Sequence, residues 1–142
     1  HPDQWEILAE NPKLDMAAAT ECMRLRPTIT WVTREAVEDF EFQGLKIPNG
    51  TTLHLFSESA GTDPDAYEEA PFDITAKRNR NYGFGAGMHV CLGQIVAKND
   101  MAVAYRLLSE RITNIRRNGE AKHLPDSANT GPTYLPIAFD LR

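Results

Sequence analysis

The segment FGAGMHVCLG, from Phe84 to Gly93, contains three glycines and one of the two cysteines of the chain. No proline and no further glycine follows before Ile112, so a helix from about Leu92 to Ile112 is predicted directly behind this loop. Three interpretations of the loop are open: a dinucleotide-binding loop, a tight turn with an inert cysteine, or a loop that presents Cys91 as a metal ligand.

The dinucleotide-binding interpretation rests on GFGAG, Gly83 to Gly87, which matches the start of GxGxxG. That motif requires an apolar strand before it and a third glycine at a fixed distance. The preceding segment here is KRNRNY, and Met88 or Val90 stands where the third glycine is needed. The sequence therefore excludes this interpretation.

The two remaining interpretations differ in how they treat the glycines. A free cysteine is most often a small buried core residue, which explains Cys91 but gives Gly85, Gly87 and Gly93 no joint purpose. A metal ligand explains them together. The positive end of a helix dipole favours the thiolate form of a cysteine, and glycines let the backbone take positive φ and approach a flat ligand closely. A thiolate held in this way is suited to bind the iron of a haem.

The loop resembles the haem-binding loop of the cytochrome P-450 family, whose pattern is Phe-Gly-x-Gly-x-x-x-Cys-x-Gly. Its fixed positions are occupied by Phe84, Gly85, Gly87, Cys91 and Gly93. The resemblance implies that the cofactor is haem b and that the Cys91 thiolate is the axial iron ligand. It also implies that the other four residues belong to the cofactor site.

The family carries Glu-x-x-Arg on a helix upstream of the loop, and ECMR, Glu21 to Arg24, matches it. Residues three apart lie on one side of a helix and can pair. Glu21 falls on the apolar stripe of the predicted helix, so its carboxylate must be paired to avoid a large desolvation cost. In the family this structural ion pair, with a further arginine, holds the segment before the haem loop.

That segment departs from the family pattern at two positions. Ala76 and Asn81 stand where many soluble relatives have arginine and histidine. We expect Lys77, Arg78 or Arg80 to supply the missing charge. The resemblance leaves Asn81 with one hydrogen bond that it could donate to a haem propionate, without the charge of a histidine.

The resemblance also implies contacts to the propionates and to the substrate. Arg34 and His89 match residues that bind the propionates, which are carboxylates and take cationic and N–H donors. Without the resemblance, each would be read as an ordinary exposed residue. Two segments correspond to walls of the substrate pocket, and their residues are Thr28, Ile29, Thr30, Trp31, Val32, Thr133 and Tyr134.

A second match to the family is rejected. AGTDP, Ala60 to Pro64, imitates the Ala-Gly-x-Asp/Glu-Thr motif of the oxygen-activating helix. That motif lies upstream of the Glu-x-x-Arg helix, whereas AGTDP lies downstream of Glu21, and Pro64 would end a helix there.

The predicted fold is α+β, mainly α, and corresponds to the C-terminal portion of the cytochrome P-450 fold. We expect a helix from Pro2 to Ala9 and a second from Asp15 to Leu25, with Asp15 as its cap. A small antiparallel sheet follows, starting with a strand at 28–32 and including a turn at Pro48–Gly50. The predicted haem loop then leads into the long helix. Apolar residues occupy much of the circumference of this helix, which predicts that it is buried inside a larger body. The chain ends in a turn at 131–136 and a final strand, which form a β-hairpin.

Composition narrows the class of protein. The 142 residues are 42% hydrophobic and 25% charged, as expected for one globular unit. The net charge of −5 gives no reason to expect a nucleic-acid partner. No apolar run approaches the ~20 residues of a membrane helix, and no signal peptide is visible, so we expect a cytoplasmic protein with reduced cysteines.

The resemblance implies a parent enzyme of the soluble bacterial type that hydroxylates a small organic substrate with dioxygen and two electrons. The electrons would come from a ferredoxin or flavoprotein docked near the loop, at Lys77, Arg78, Arg80 and Lys98. We expect residues 1–142 to be a single C-terminal haem-binding portion that lacks the N-terminal part with the oxygen-binding helix and therefore does not perform the reaction alone. Two alternatives stay open: a non-catalytic haem-binding or sensing module, and a haem-free structural fragment that covers exposed surface by forming an oligomer.

Overall fold

The computed structural model describes residues 1–67, 71–78, 81–125 and 128–142. Arg80, one of the residues expected to supply charge, lies outside the described residues. Single 3₁₀ turns lie at Pro12–Leu14 and Gly87–His89. The helices and strands in chain order are α1 (Pro2–Glu10), α2 (Asp15–Leu25), β1 (Trp31–Glu35), β2 (Phe40–Phe42), β3 (Leu45–Ile47), β4 (Thr52–Phe56), α3 (Ser57–Ala60), α4 (Gln94–Ser109), β5 (Ile112–Arg117), β6 (Lys122–His123), β7 (Pro132–Tyr134) and β8 (Ile137–Leu141).

The first two helices confirm the predicted ones, but the predicted cap is wrong. Because the 3₁₀ turn runs directly into α2, the N-cap position falls on Leu14, which has no side chain able to accept a hydrogen bond. Asp15 lies in the first turn instead, where its Oδ2 is 3.5 Å from Nε of Arg106 on α4. A carboxylate in that turn still complements the helix dipole.

The predicted antiparallel sheet consists of two separate pairs. β1 pairs with β4, with Trp31 opposite Phe56 and Glu35 opposite Thr52, and β2 pairs with β3. The turn at Pro48–Gly50 is confirmed: Gly50 has φ +80°, and the N–H of Thr51 donates to the Pro48 carbonyl at 3.1 Å. The strand predicted at 28–32 begins later, at Trp31.

The C-terminal part of the chain contains four strands that form two antiparallel pairs. β8 pairs with β5 and β7 pairs with β6, all antiparallel, so the predicted hairpin forms with an interruption between the two pairs. The final strand is confirmed. The turn predicted at 131–136 is wrong, because Pro132–Tyr134 is extended and pairs with β6.

The core lies where α1, α2 and α4 meet. α4 packs against α2 and α1, and Ala102 and Ser109 are its buried residues. The segment before the loop contributes Ile74, which is 3% exposed. The central cluster consists of Leu8, Ala18 and Ile74, with Ile7, Leu14, Phe72 and Tyr105 packed against it.

The predicted burial of the long helix is confirmed on one side of α4 and not on the other. Leu92, before the helix, is 99% exposed, and Ile95 and Val96 in its first turn are 70% and 65% exposed. The reason is that α1 and α2 cover only one side of α4. Among the described segments, none covers its opposite apolar face.

No helix in the described part of the chain has the length and apolar character required to cross a bilayer.

Candidate functional site

Backbone hydrogen bonds close the loop that carries Cys91. The N–H of Cys91 donates to the Phe84 carbonyl at 2.9 Å, which joins the two ends of the loop. At its entrance, the N–H of Gly85 donates to the Tyr82 carbonyl at 2.8 Å, and a further bond of 3.2 Å links Val90 to Gly87. The position of Cys91 is therefore set by the backbone of the loop itself.

Two glycines are required by this backbone. Gly85 has φ +71° and Gly87 has φ +65°, a region that residues with a Cβ rarely adopt. A Cβ on Gly85 would also lie 3.3 Å from the carbonyl oxygen of His89. Gly93 differs, because its φ is −80°, and a Cβ there would lie 4.0 Å from the sulfur of Cys91. A Cβ at Gly93 would therefore only touch the sulfur at ordinary contact distance.

The two cysteines are both free, and their surroundings differ. Cys91 is exposed, whereas Cys22 on α2 is half-buried. Burial, and to a lesser degree the Glu21 carboxylate, raise the pKa of the Cys22 thiol, which makes that thiol less reactive. Two residues separate Cys91 from Gln94, the first residue of α4, and the N–H of Gln94 donates to the Cys91 carbonyl at 3.2 Å. Only Cys91 therefore offers an accessible sulfur at a helix start.

The surroundings of Cys91 fit a flat apolar cofactor better than a bare metal ion. In the described ranges, no three His, Cys, Asp or Glu side chains are grouped so that they could hold a metal ion, and a structural zinc site needs four ligands. Haem iron takes a single protein ligand on its proximal side. Met88 and Leu92 are 96% and 99% exposed within the loop, and a cofactor face would remove such apolar surface from water.

Glu21 and Arg24 form a buried ion pair on α2, with 3% and 1% of their surfaces exposed. Arg24 holds the carboxylate with two bonds, Nε to Oε2 at 2.8 Å and Nη2 to Oε1 at 2.7 Å. Its Nη1 donates to the Gly61 carbonyl at 2.6 Å, and its guanidinium lies 5.1 Å from the centre of the Tyr67 ring. The hydrogen bonds to Glu21 raise the pKa of Arg24, so the charged pair is retained.

The segment before the loop joins this pair through Arg78. Its Nη2 is 3.5 Å from Oε1 of Glu21 and donates to the Pro71 carbonyl at 2.7 Å. The backbone N–H of Asp73 donates to the same Glu21 oxygen at 3.2 Å. Of the two described residues expected to supply the charge missing at Ala76, Arg78 contacts Glu21 and Lys77 is exposed.

Asn81 contacts protein groups on both sides. Its Oδ1 accepts a hydrogen bond from the N–H of Gly83 at 3.1 Å, and its Nδ2 donates to the Thr20 carbonyl of α2 at 3.4 Å. The Nδ2 group thus gives one bond to α2, and the expectation that it also donates to a haem propionate stays a prediction.

Arg34 and His89 are both exposed and lie on separate elements. Arg34 is on β1, opposite Leu53, and its Nη1 donates to the Thr33 carbonyl at 2.7 Å. His89 ends the 3₁₀ turn inside the loop. Their binding of propionates stays a prediction.

The first of the two segments expected to wall the substrate pocket pairs with residues 128–130, which precede the second segment in the chain. Ile29 forms a bridge with Asn129, and the N–H of Thr130 donates to the Thr28 carbonyl at 2.7 Å. Thr30 is buried, and its N–H donates to the Ala128 carbonyl at 2.9 Å.

The side chains of these walls differ in exposure. Trp31 and Val32 are half-buried, whereas Tyr134 is 56% exposed. Thr133 directs its hydroxyl to the Lys122 carbonyl at 3.1 Å. Their contact with a substrate stays a prediction.

Comparison with known proteins agrees with this geometry. The family model described as cytochrome P450 matches residues 2–111, most of the chain. The chain belongs to the cytochrome P450 family. Luteothin monooxygenase of Streptomyces thioluteus is 38% identical over 98% of this chain, and linalool 8-monooxygenase of Pseudomonas putida is 35% identical over 97% of it.

Solved cytochrome P450 structures share the fold. P450BioI, in complex with an acyl carrier protein that carries hexadec-9Z-enoic acid, superimposes with a TM-score of 0.92 at 32% identity, over 99% of this chain and 37% of that one. The chain spans about a third of the length of the curated relatives it matches, 35% and 34% for the two monooxygenases.

The sequence did not reveal which residues attach the loop to α2. Gly83 packs so closely on α2 that a Cβ would lie 2.7 Å from the Met23 carbonyl oxygen, and a Cβ on Gly61 would lie 2.1 Å from that of Arg24. Neither glycine has a positive φ, so neither lies in a turn type that a sequence pattern would predict to need glycine. The one available signal in the sequence was Gly83, two positions after Asn81, in a segment with little apolar character.

Proposed function

We propose that this chain supplies the haem-thiolate part of a cytochrome P450 monooxygenase, with the sulfur of Cys91 as the axial ligand of haem b. The observation that carries the proposal is the exposed sulfur of Cys91 at the end of a loop fixed by Gly85 and Gly87, in a chain of this family. When bound, haem supplies the activation of dioxygen for hydroxylation of a C–H bond.

The residues of the chain would have distinct roles in that site. Cys91 donates the thiolate, from a loop whose backbone Gly85 and Gly87 fix at positive φ. Phe84 lies at the loop entrance, with the ammonium of Lys98 5.2 Å from the centre of its ring. Arg34 and His89 would pair with the two propionates, since cationic donors bind carboxylates strongly.

The substrate in this proposal is a small organic molecule, bound against the walls formed by Thr28–Val32 and by Thr133 and Tyr134. The relatives act on different molecules: one is described as a luteothin monooxygenase and another as a linalool 8-monooxygenase. Relatives named for different substrates agree with a fold that changes its substrate from one family member to the next.

The electron donor in this proposal is a ferredoxin or a flavoprotein that docks beside the loop in the cytoplasm. Arg78 is engaged with Glu21 and Pro71, so it contributes little to such a surface. Lys77, which is exposed, and Lys98, which is half-buried beside Phe84, remain as basic groups of the described segments near the loop. An acidic donor surface would complement them.

The test is the spectrum of the haem-reconstituted, reduced protein with carbon monoxide. We expect a band at about 450 nm that Cys91→Ser abolishes, because a serine oxygen does not replace a thiolate at the iron. Cys22→Ser is the matched control, since it also removes one thiol, and it should keep the band. Absence of pigment, or a band that survives Cys91→Ser, would refute the proposal.

Turnover distinguishes an enzyme from a sensor. With a ferredoxin, its reductase and NADPH, we expect oxygenated product from the whole enzyme that contains this chain, given a terpene or aromatic substrate that shifts the haem spectrum, and none from residues 1–142 alone. A normal 450 nm band without any product across such substrates would favour the non-catalytic haem-binding module. A folded chain without pigment would favour the haem-free structural fragment.

A further inference from the structure

Asn81 joins helix α2 to the start of the cysteine loop. It is half-buried and uses both ends of its amide: Nδ2 donates to the Thr20 carbonyl at 3.4 Å, and Oδ1 accepts from Gly83 N–H at 3.1 Å. The bond to the residue two positions ahead is an Asx-turn, which shapes the backbone locally. The bond to Thr20 fastens that turn to a helix.

The segment after Asn81 lies directly on the same helix. A Cβ added to Gly83 would come within 2.7 Å of the Met23 carbonyl oxygen, so backbone touches backbone there. α2 is itself held by the buried pair of Glu21 and Arg24. The loop therefore starts in direct backbone contact with the buried C-terminal half of α2.

A short series of hydrogen bonds continues from this contact to the cysteine. Gly83 is followed by Phe84, whose carbonyl accepts from the N–H of Cys91 at 2.9 Å. The Tyr82 carbonyl, between the two anchored residues, accepts from Gly85 N–H at 2.8 Å. A shift of residues 81–83 on α2 would therefore move the carbonyl that fixes Cys91.

We propose that Asn81 is a positioning residue for the Cys91 sulfur: by seating residues 81–83 on α2, its amide sets where the thiolate stands relative to the iron. This proposal rests on the proposed haem-thiolate function. Asn81 contacts no reacting group in it, and acts through Gly83, Phe84 and the backbone of Cys91. The chemistry needs an acceptor and a donor on one short side chain, which asparagine provides.

The experiment compares variants of the haem-reconstituted protein in the reduced state with carbon monoxide. Asn81→Leu keeps the number and branching of the side-chain heavy atoms and removes both hydrogen bonds, whereas Asn81→Asp keeps the acceptor for Gly83 and removes the donor to Thr20. Asn99→Leu is the matched control, because Asn99 is an exposed asparagine on α4 whose amide donates only to its own helix, to the Ile95 carbonyl at 2.9 Å. The readout is the ratio of the band at about 420 nm, from displaced thiolate, to the band at about 450 nm.

We expect Asn81→Leu to raise this ratio about thirtyfold, because it loses two hydrogen bonds and the loss of each typical bond gives about a factor of five between two states of the loop. Asn81→Asp should raise it less, and Asn99→Leu should leave it unchanged. A residue that serves folding alone would lower the thermal midpoint and leave the spectrum of the folded protein intact.

An unchanged ratio in Asn81→Leu would overturn the proposal. If that variant does not fold, an unchanged ratio in Asn81→Asp would overturn it equally. A parent protein without any band at about 450 nm would instead refute the haem-thiolate function itself, so the two failures are distinguishable.

Discussion

Arg78 reaches Glu21 from two residues beyond the position where the family resemblance places an arginine: its Nη2 lies 3.5 Å from Oε1 of Glu21, while Ala76 carries no charge. The long side chain makes this substitution feasible, because it also spans to the Pro71 carbonyl at 2.7 Å. Two guanidinium groups, of Arg24 and Arg78, therefore approach Glu21, and the second comes from position 78 rather than from position 76.

Removal of that guanidinium is the first prediction. Arg78→Ala should lower the free energy of unfolding by about 1–2 kcal/mol. The reason is that it removes the charged hydrogen bond to the Pro71 carbonyl and the ion pair with Glu21. Lys77→Ala, next to it but exposed, should change stability by less than about 0.5 kcal/mol. Denaturant unfolding of both variants measures the difference. Equal losses in the two would contradict the assignment of Arg78 to the network.

The buried pair on α2 gives the second prediction. Glu21→Gln should cost about 3–5 kcal/mol of unfolding free energy, because it leaves the guanidinium of Arg24 buried without its counter-charge. The control is Glu58→Gln, which removes the carboxylate of an exposed pair with Arg26 at 3.1 Å and should cost about 0–1 kcal/mol. The measurement is again denaturant unfolding, and a Glu21→Gln variant as stable as Glu58→Gln would show that the buried charge contributes little.

Close backbone packing gives the third prediction. A Cβ on Gly61 would lie 2.1 Å from the Arg24 carbonyl oxygen, and neither backbone can give way without disturbing α2. Gly61→Ala should therefore destabilise the chain by about 1–3 kcal/mol. Gly131→Ala, at a glycine with no heavy atom within 4 Å of the added Cβ, should be nearly neutral. Thermal unfolding of the two alanine variants provides the comparison, and similar midpoints would contradict the packing argument.

The sequence predicted local features well where a short rule governs them. The glycine positions at 85 and 87 were predicted from a loop pattern, and both have the positive φ that only glycine adopts easily. The bounds of α2 follow from its periodic apolar residues and from Pro27 beyond its end. Such features depend on neighbouring residues, so one sequence contains what is needed to predict them.

Features that depend on distant segments were not predictable in the same way. Pro132–Tyr134 contains a proline and was expected to turn, but pairing with β6 holds it extended. The apolar cover of α4 indicated burial, yet Ile95 and Val96 are exposed because periodicity shows which side is apolar and not what covers it. For Asn81, the type of residue showed only that it could donate a bond, and the fold decided that the acceptor is the Thr20 carbonyl.

A phenol between α4 and α2 gives the last prediction, which concerns alkaline pH. Burial, with smaller contributions from Cys22, raises the pKa of Tyr105 from 10.0 to about 12. A raised pKa means that the folded chain keeps the proton after the unfolded chain has released it. The contribution of this phenol to stability is therefore complete below pH 10.0 and is lost as the pH rises to about 12.

Tyr105→Phe should remove this loss, since phenylalanine has no proton to release. Relative to the parent protein, the unfolding free energy of Tyr105→Phe should therefore rise between pH 10.0 and about 12. The measurement is urea unfolding at a series of pH values across that range. Tyr134→Phe, at a tyrosine that is 56% exposed, serves as the control and should follow the parent protein throughout. A Tyr105→Phe variant that loses stability in parallel with the parent would show that the buried phenol is not the group that titrates.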